Sequence, residues 1–261
     1  MPGLLEGKVA IVSGIGPGMG RDVALRLAEE GADLVLGART RSRCEAVAEE
    51  VRALGRRAEA VALDVTDPDA CRGAVDRAVD ALGGLDVLVN NAFADGNHRA
   101  FEDSALEEWR ATMEVNLWGT LQMTQAAVPA MKARGGGRVV MINSMSAHRL
   151  QPRYGAYATS KGALETATKA LALELGQHGI RVNGVFPGYI WGDKVAAYFE
   201  HVAARLGITP EEQYRSVADE TALRYLPTSA EIAGSVVFFA SDLSAPVTGQ
   251  SLDVNCGHWI A

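Results

Sequence analysis

Short apolar runs alternate along this chain with longer segments whose apolar residues recur every three to four positions. Residues 8–12, 33–37, 58–63, 85–90, 138–143, 180–186 and 251–255 are runs of Val, Ile, Leu and Ala bounded by turn residues, the pattern of strands buried on both faces of a parallel sheet. Residues 21–28, 42–54, 68–82, 107–131, 154–177 and 231–240 carry helical period, and Gly31 ends the first of these. Regular alternation of strand and helix predicts an α/β fold, with a doubly wound parallel sheet covered by helices on both faces and formed by residues 1–261 as one domain. The stretch 188–227 breaks the rhythm and is read as an irregular insertion rich in aromatics and charge. It follows the sixth strand, on the side where open α/β sheets bind ligands.

Composition narrows the field. The chain has 261 residues, 48% of them apolar, and a formal net charge of −7. No basic run stands out, which argues against nucleic acid or an anionic membrane as a partner. No apolar stretch is long enough to span a bilayer, and the N-terminal residues lack a secretory pattern, so a cytoplasmic protein is expected. Cys44, Cys71 and Cys256 are widely spaced. They suit a reducing compartment and show no metal-ligand spacing, so no metal is expected.

Two motifs carry chemistry. The first strand runs into Gly14, Gly16, Gly18 and Gly20, with Met19 opening the following helix. A strand, a glycine-rich turn and a helix form the first half of a Rossmann-like nucleotide-binding unit: the backbone can approach a pyrophosphate, and the helix start offers free N–H groups. An ordinary tight turn is the bland alternative, but four glycines in seven residues are entropically costly for that purpose alone. The second motif is Tyr157 with Lys161 one helical turn later. A positive charge beside a phenol favours phenolate and lowers its pKa, which suits proton exchange with an alcohol or ketone. The alternative is a surface Tyr beside a solvated Lys.

With these motifs in order along essentially its whole length, the chain resembles the short-chain dehydrogenase/reductase family, in its compact single-domain branch. Asp64 and Val65 match the pair that contacts adenine. Asn90, Asn91 and Ala92 match the motif after the fourth strand, although Phe93 stands where the family usually has Gly. The resemblance implies a tetrad of Asn116, Ser144, Tyr157 and Lys161. In it, Ser144 would stabilise charge on the substrate oxygen, Tyr157 would be general acid or base, Lys161 would favour the phenolate and bind the nicotinamide ribose, and Asn116 would hold a water. Pro187, Gly188 and Ile190 are implied as further cofactor contacts, and Gly192 stands where the family often has Thr. Ser146, His148, Tyr154 and Trp191 are candidates for substrate contact. Ser146 competes with Ser144 for its role, His148 could equally be a polar loop residue, and Tyr154 has no Lys four residues on. Cys256 reads as a packing residue.

At the end of the second strand Ala38 replaces the acid usual in NAD-preferring members, and Arg39 follows. An Arg fork suits a 2′-phosphate, so NADP(H) is favoured, with NAD(H) as the alternative. The apolar residues of the insertion (Trp191, Tyr198, Phe199, Val202, Leu206, Ile208, Tyr225) favour a mid-sized, partly hydrophobic alcohol or ketone. The expected activity is an NAD(P)(H)-dependent interconversion of a secondary alcohol and a ketone. The competing readings are an epimerase or dehydratase, and a non-enzymatic cofactor-binding scaffold. Family resemblance further implies a homotetramer.

Overall fold

The computed structural model describes residues 3–260. Seven parallel strands form one sheet in the order β3-β2-β1-β4-β5-β6-β7. They are β1 Val9–Ser13, β2 Asp33–Ala38, β3 Ala58–Ala62, β4 Val87–Asn90, β5 Gly137–Ile142, β6 Ile180–Pro187 and β7 Ser251–Val254. The central strands are buried along their whole length, as their unbroken apolar runs predict. Strand order reverses between β1 and β4, and the crevice at that switch point opens at the carboxyl ends of both.

The connecting helices are α1 Met19–Glu29, α2 Arg41–Ala53, α3 Pro68–Arg77, α4 Leu106–Met113, α5 Thr120–Ala133, α6 Gly155–Leu175, α7 Asp193–Leu206, α8 Pro210–Ala218 and α9 Ser229–Ala240. One apolar cluster lies where α1, α2 and α9 cover one face, and a second where α3, α5 and α6 cover the other. Val23, Ala24, Leu27 and Ala28 form the stripe that seats α1. Fully burying a Leu such as Leu27 contributes roughly 1.5–3 kcal/mol.

Two expectations are corrected. The region 107–131 is not one continuous helix: a π-helical turn, Glu114–Gly119, separates α4 from α5 and contains Asn116. A single π turn inserted in a helix re-aims the side chains around it. Residues 188–227 are not irregular. They hold α7 and α8, and α8 begins with a reciprocal cap between Thr209 and Glu212 followed by Pro210 at the first turn.

Candidate active site

The turn after β1 has the shape of a phosphate cradle. Gly14 sits at φ +93°, and a Cβ there would lie 2.4 Å from the Ala92 backbone nitrogen. The loop after β4 thus presses on the glycine turn, and the Asn91 amide donates to the Gly14 carbonyl at 2.6 Å. Gly16 and Gly18, by contrast, face open space. Gly18 caps α1 with no side-chain hydrogen bond to the helix start, so the N–H groups near Met19 and Gly20 are left to an anion. At the far end of the crevice one Asp64 oxygen accepts from the Thr66 N–H (3.0 Å) and hydroxyl (2.7 Å). These bonds, with the nearby Arg39 charge, hold the Asp64 carboxyl below its ordinary pKa, and its other oxygen stays free to accept from an adenine amine. Val65 turns its side chain inward against Gly119, and its carbonyl accepts from the Gln122 amide at 2.9 Å. A dinucleotide fits this set of donors and acceptors.

The four implied catalytic residues converge beside it. Ser144 follows β5, Tyr157 and Lys161 lie on the first turns of α6, and Asn116 lies in the π turn. The Ser144 hydroxyl accepts from the Ser146 N–H at 3.1 Å, which caps its turn, and lies near enough to the Tyr157 phenol to favour its ionised form. Ser146 offers that backbone N–H to Ser144 instead of displacing it. Lys161 is 3% exposed, donates to the Ile142 carbonyl at 2.7 Å and lies 5.7 Å from the centroid of the Tyr157 ring.

Electrostatics here differ from the sequence expectation of a depressed phenol. Burial pushes Tyr157 up to about 12, against the lowering effect of the nearby Ser144 hydroxyl, and the Asp95 carboxylate adds to the rise. Burial likewise pushes Lys161 down to about 7. Each charged form is desolvated, and the ammonium is held at the Ile142 carbonyl, so desolvation exceeds the attraction between the two groups. Asn116 is fully buried. Its amide donates to the Ala94 carbonyl and to the Ser160 hydroxyl, each at 2.9 Å, and its oxygen accepts from the Ala94 N–H at 2.7 Å. Both amide hydrogens are committed to protein, so the side chain positions the Ala94 segment and cannot donate to the water the resemblance assigns to it.

Comparison with known proteins agrees with this arrangement. A family model described as enoyl-(acyl carrier protein) reductase matches residues 14–258. The 7alpha-hydroxysteroid dehydrogenase of Escherichia coli (strain K12) is 33% identical over 253 residues, which cover 97% of this chain and 94% of that protein. The L-rhamnose 1-dehydrogenase (NAD(P)(+)) of Sphingomonas sp. (strain SKA58) is 35% identical over 98% of each chain. The chain belongs to the short-chain dehydrogenase/reductase family. The crystal structure of L-sorbose reductase from Gluconobacter frateurii, complexed with NADPH and L-sorbose, superposes with a TM-score of 0.92 at 30% identity, covering 99% of this chain and 98% of that one. As a member of this family the protein is an oxidoreductase acting on CH–OH groups with a nicotinamide cofactor.

The remaining predicted contacts of this dehydrogenase/reductase divide. Tyr154 stands at the start of α6 among Tyr189, Tyr198 and Asp95; burial, with these neighbours adding to it, pushes its phenol up to about 12. Pro187 ends β6, Gly188 packs against Asn255, and Ile190 continues toward the insertion along the crevice. The Trp191 backbone N–H donates to the Pro227 carbonyl at 2.8 Å, and its ring packs against Phe199 and Tyr214. There it lines a groove of about 680 Å³ between α7 and α8 that contains none of the four catalytic candidates. His148 is turned to Glu165, 2.8 Å away and two turns beyond Tyr157 on α6, with its ring 4.5 Å from Phe186. Phe199 is buried within the insertion itself. Packing of α7 on α8 accounts for Phe199 and for Trp191, while Tyr198, Leu206, Ile208 and Tyr225 stay exposed.

Sequence reasoning missed Asp95 and His98. Their signal is positional only: they lie in the loop after β4, at the carboxyl edge of the sheet, where such folds place ligand-binding residues. Phe93, which stands where the family usually has Gly, meets Tyr157 edge-on, with ring centroids 6.5 Å apart. Gly192 begins α7 in an extended conformation with open space where a side chain would point.

Proposed function

We propose that the protein interconverts a secondary alcohol and a ketone, with Tyr157 carrying the proton. The observation that supports this reading is the convergence of Ser144 and Lys161 on Tyr157, with the Lys161 Nζ 5.7 Å from the centroid of its ring. The bound nicotinamide supplies hydride acceptance in oxidation and hydride donation in reduction. Ser144 donates to the substrate oxygen and stabilises charge that develops there. In reduction, Tyr157, protonated at neutral pH, gives its proton to that oxygen; in oxidation, the phenolate removes it. Lys161, poised near neutrality, holds ribose hydroxyls and returns protons to Tyr157. Asn116 fixes the wall that carries Phe93 and Asp95.

The mid-sized substrate lies under α7, with its carbon skeleton on the ring faces of Phe93, Tyr154 and Tyr189. Relatives named for a steroid and for sugars mark the range of alcohols such a site accepts. NADP(H) is favoured over NAD(H), since Ala38 removes the acid that would repel a 2′-phosphate and the exposed Arg39 reaches toward Asp64 at the adenosine end.

Tyr157→Phe tests the reading, because the ring still packs while the proton is gone. Turnover of a true substrate, followed by absorbance of the reduced nicotinamide, should fall by ~10²–10⁴-fold with cofactor affinity retained. A variant that keeps most of its kcat refutes the mechanism.

A further inference from the structure

The turn that carries Ser144 is tied to the end of the insertion by three side chains that the proton transfer does not use. In that turn the Ala147 N–H donates to the Ser144 carbonyl at 3.0 Å, and the Arg149 N–H to the Met145 carbonyl at 2.8 Å. From the end of the turn the Arg149 guanidinium contacts the His258 Nε2 and donates to a Glu220 oxygen. The same Glu220 oxygen lies 3.1 Å from the His258 Nε2. Glu220 stands just after α8, and His258 just after β7.

The segments that carry Glu220 and His258 are locked to each other by backbone. The Leu223 N–H donates to the Cys256 carbonyl at 3.1 Å. Gly257, at φ +74°, lets the two chains approach so closely that a Cβ there would stand 2.6 Å from the Ala222 Cβ. The Asn255 side-chain oxygen accepts from the Gly257 and His258 N–H groups, and this turn sets the imidazole inward, its side chain 1% exposed.

We propose that His258 is a positioning residue for the reaction: as a neutral acceptor it pins Arg149, and with it the Ser144 turn, against the insertion, and on taking up a proton it lets that turn go. This rests on the reading of Ser144 as the group that binds the substrate oxygen.

The argument turns on Nε2. A guanidinium only donates and a carboxylate only accepts, so this one nitrogen cannot bond both at once. With a lone pair at Nε2 the ring accepts from Arg149, and Glu220 pairs with Arg149. With a hydrogen there the ring donates to Glu220 and turns a cation toward Arg149. Nδ1, which has no partner among the described residues, carries a hydrogen in both states and does not oppose the change. The third group facing the ring is Tyr189, stacked on it with centroids 6.0 Å and planes 28° apart; burial raises its phenol, so it stays neutral. His258 and Arg149 together hold the Glu220 carboxyl below its ordinary range, so Glu220 stays an anion where histidine side chains ordinarily titrate. Since the backbone locks His258 to the Glu220 segment, Arg149 is the member that moves.

Neutron diffraction from perdeuterated crystals of the full-length protein at pH 8 reads the tautomer directly. Deuterium on Nδ1 alone is expected; deuterium on Nε2 at that pH overturns the proposal. Kinetics read the consequence, with cyclohexanone as probe and the enzyme saturated with NADPH or NADH. His258→Gln keeps an acceptor for Arg149 and a donor for Glu220 but does not titrate. Its kcat/KM should match the native enzyme at pH 8 and exceed it by roughly two- to tenfold at pH 5.5, the scale of one hydrogen bond. Groups common to both proteins, Lys161 and Tyr157 among them, cancel in that ratio. His258→Ala should be low at both pH values, with cofactor affinity retained. A ratio that stays flat from pH 8 to 5.5, or a native-like His258→Ala, overturns the proposal. Failure of the underlying reading looks different: Ser144→Ala would then keep its turnover of cyclohexanone, whatever His258 does.

Discussion

Lys161→Met should make the cofactor-free protein more stable while removing its activity. Met matches the length of the Lys stem and carries no charge. In the native fold burial pushes Lys161 from its ordinary value of 10.5 to about 7. Each pKa unit corresponds to ~1.36 kcal/mol, so the charged form is penalised by about 5 kcal/mol. The sign is set by proton counting: between pH 7 and 10.5 the unfolded chain holds a proton that the folded one has released, so native stability rises with pH across that window. Near pH 7 the buried Lys costs about 4 kcal/mol by the same linkage. Against this stands the lost bond to the Ile142 carbonyl; a buried acceptor left without its donor costs roughly 1–3 kcal/mol. A net gain of about 1–3 kcal/mol is expected for the variant near neutral pH, and it should shrink as pH approaches 10. Urea unfolding at several pH values, without cofactor, measures this directly. Excess nicotinamide should stabilise the native protein further, since a ligand that binds only the folded state adds stability, and should do less for the variant. A variant no more stable than native at pH 6–7 would show that Lys161 is comfortably solvated and that the site holds no stored desolvation penalty.

Two further outcomes are expected. Ala38→Asp with Arg39→Ala should shift the ratio of NADPH to NADH dissociation constants toward NADH by roughly ten- to a hundredfold; equal ratios before and after the change would make Arg39 a surface residue only. The exposed Leu173 on α6, Trp118 beside α5, Leu252 on the edge strand β7 and Ile260 are read as the faces through which copies pair into a tetramer; light scattering that finds a monomer at micromolar concentration would exclude this assembly.

Much of the architecture was legible because its causes are local. All seven strands appear within about two residues of their predicted positions; the central ones, buried on both faces, must be apolar at nearly every position, while the edge strands β3 and β7 are partly exposed. The end of α1 at Gly31 and the cradle at Gly14 follow from the stereochemistry of single residues. The helices of the insertion were harder to see. Their buried contacts, Phe199 and Ala203, are few and interleaved with charge, although Thr209, Pro210 and Glu212 already spelled a helix start. The π turn at Asn116 left no mark on periodicity, because one extra residue in a turn is lost within a long apolar stretch. His148 and Trp191 were placed by nearness in the chain, and the fold turned both elsewhere.

The sequence by itself determined the sheet, the glycine turn after β1 and the approach of Tyr157 to Lys161, for these rest on backbone preferences and on fixed spacing along one helix. Only the tertiary structure decided that Tyr157 and Lys161 are each driven toward their neutral forms, that Asn116 serves as a clamp, and that His98 pairs with Asp95 and packs on Tyr154. Desolvation and convergence depend on which distant segments close around a side chain, and no window of neighbouring residues contains that information.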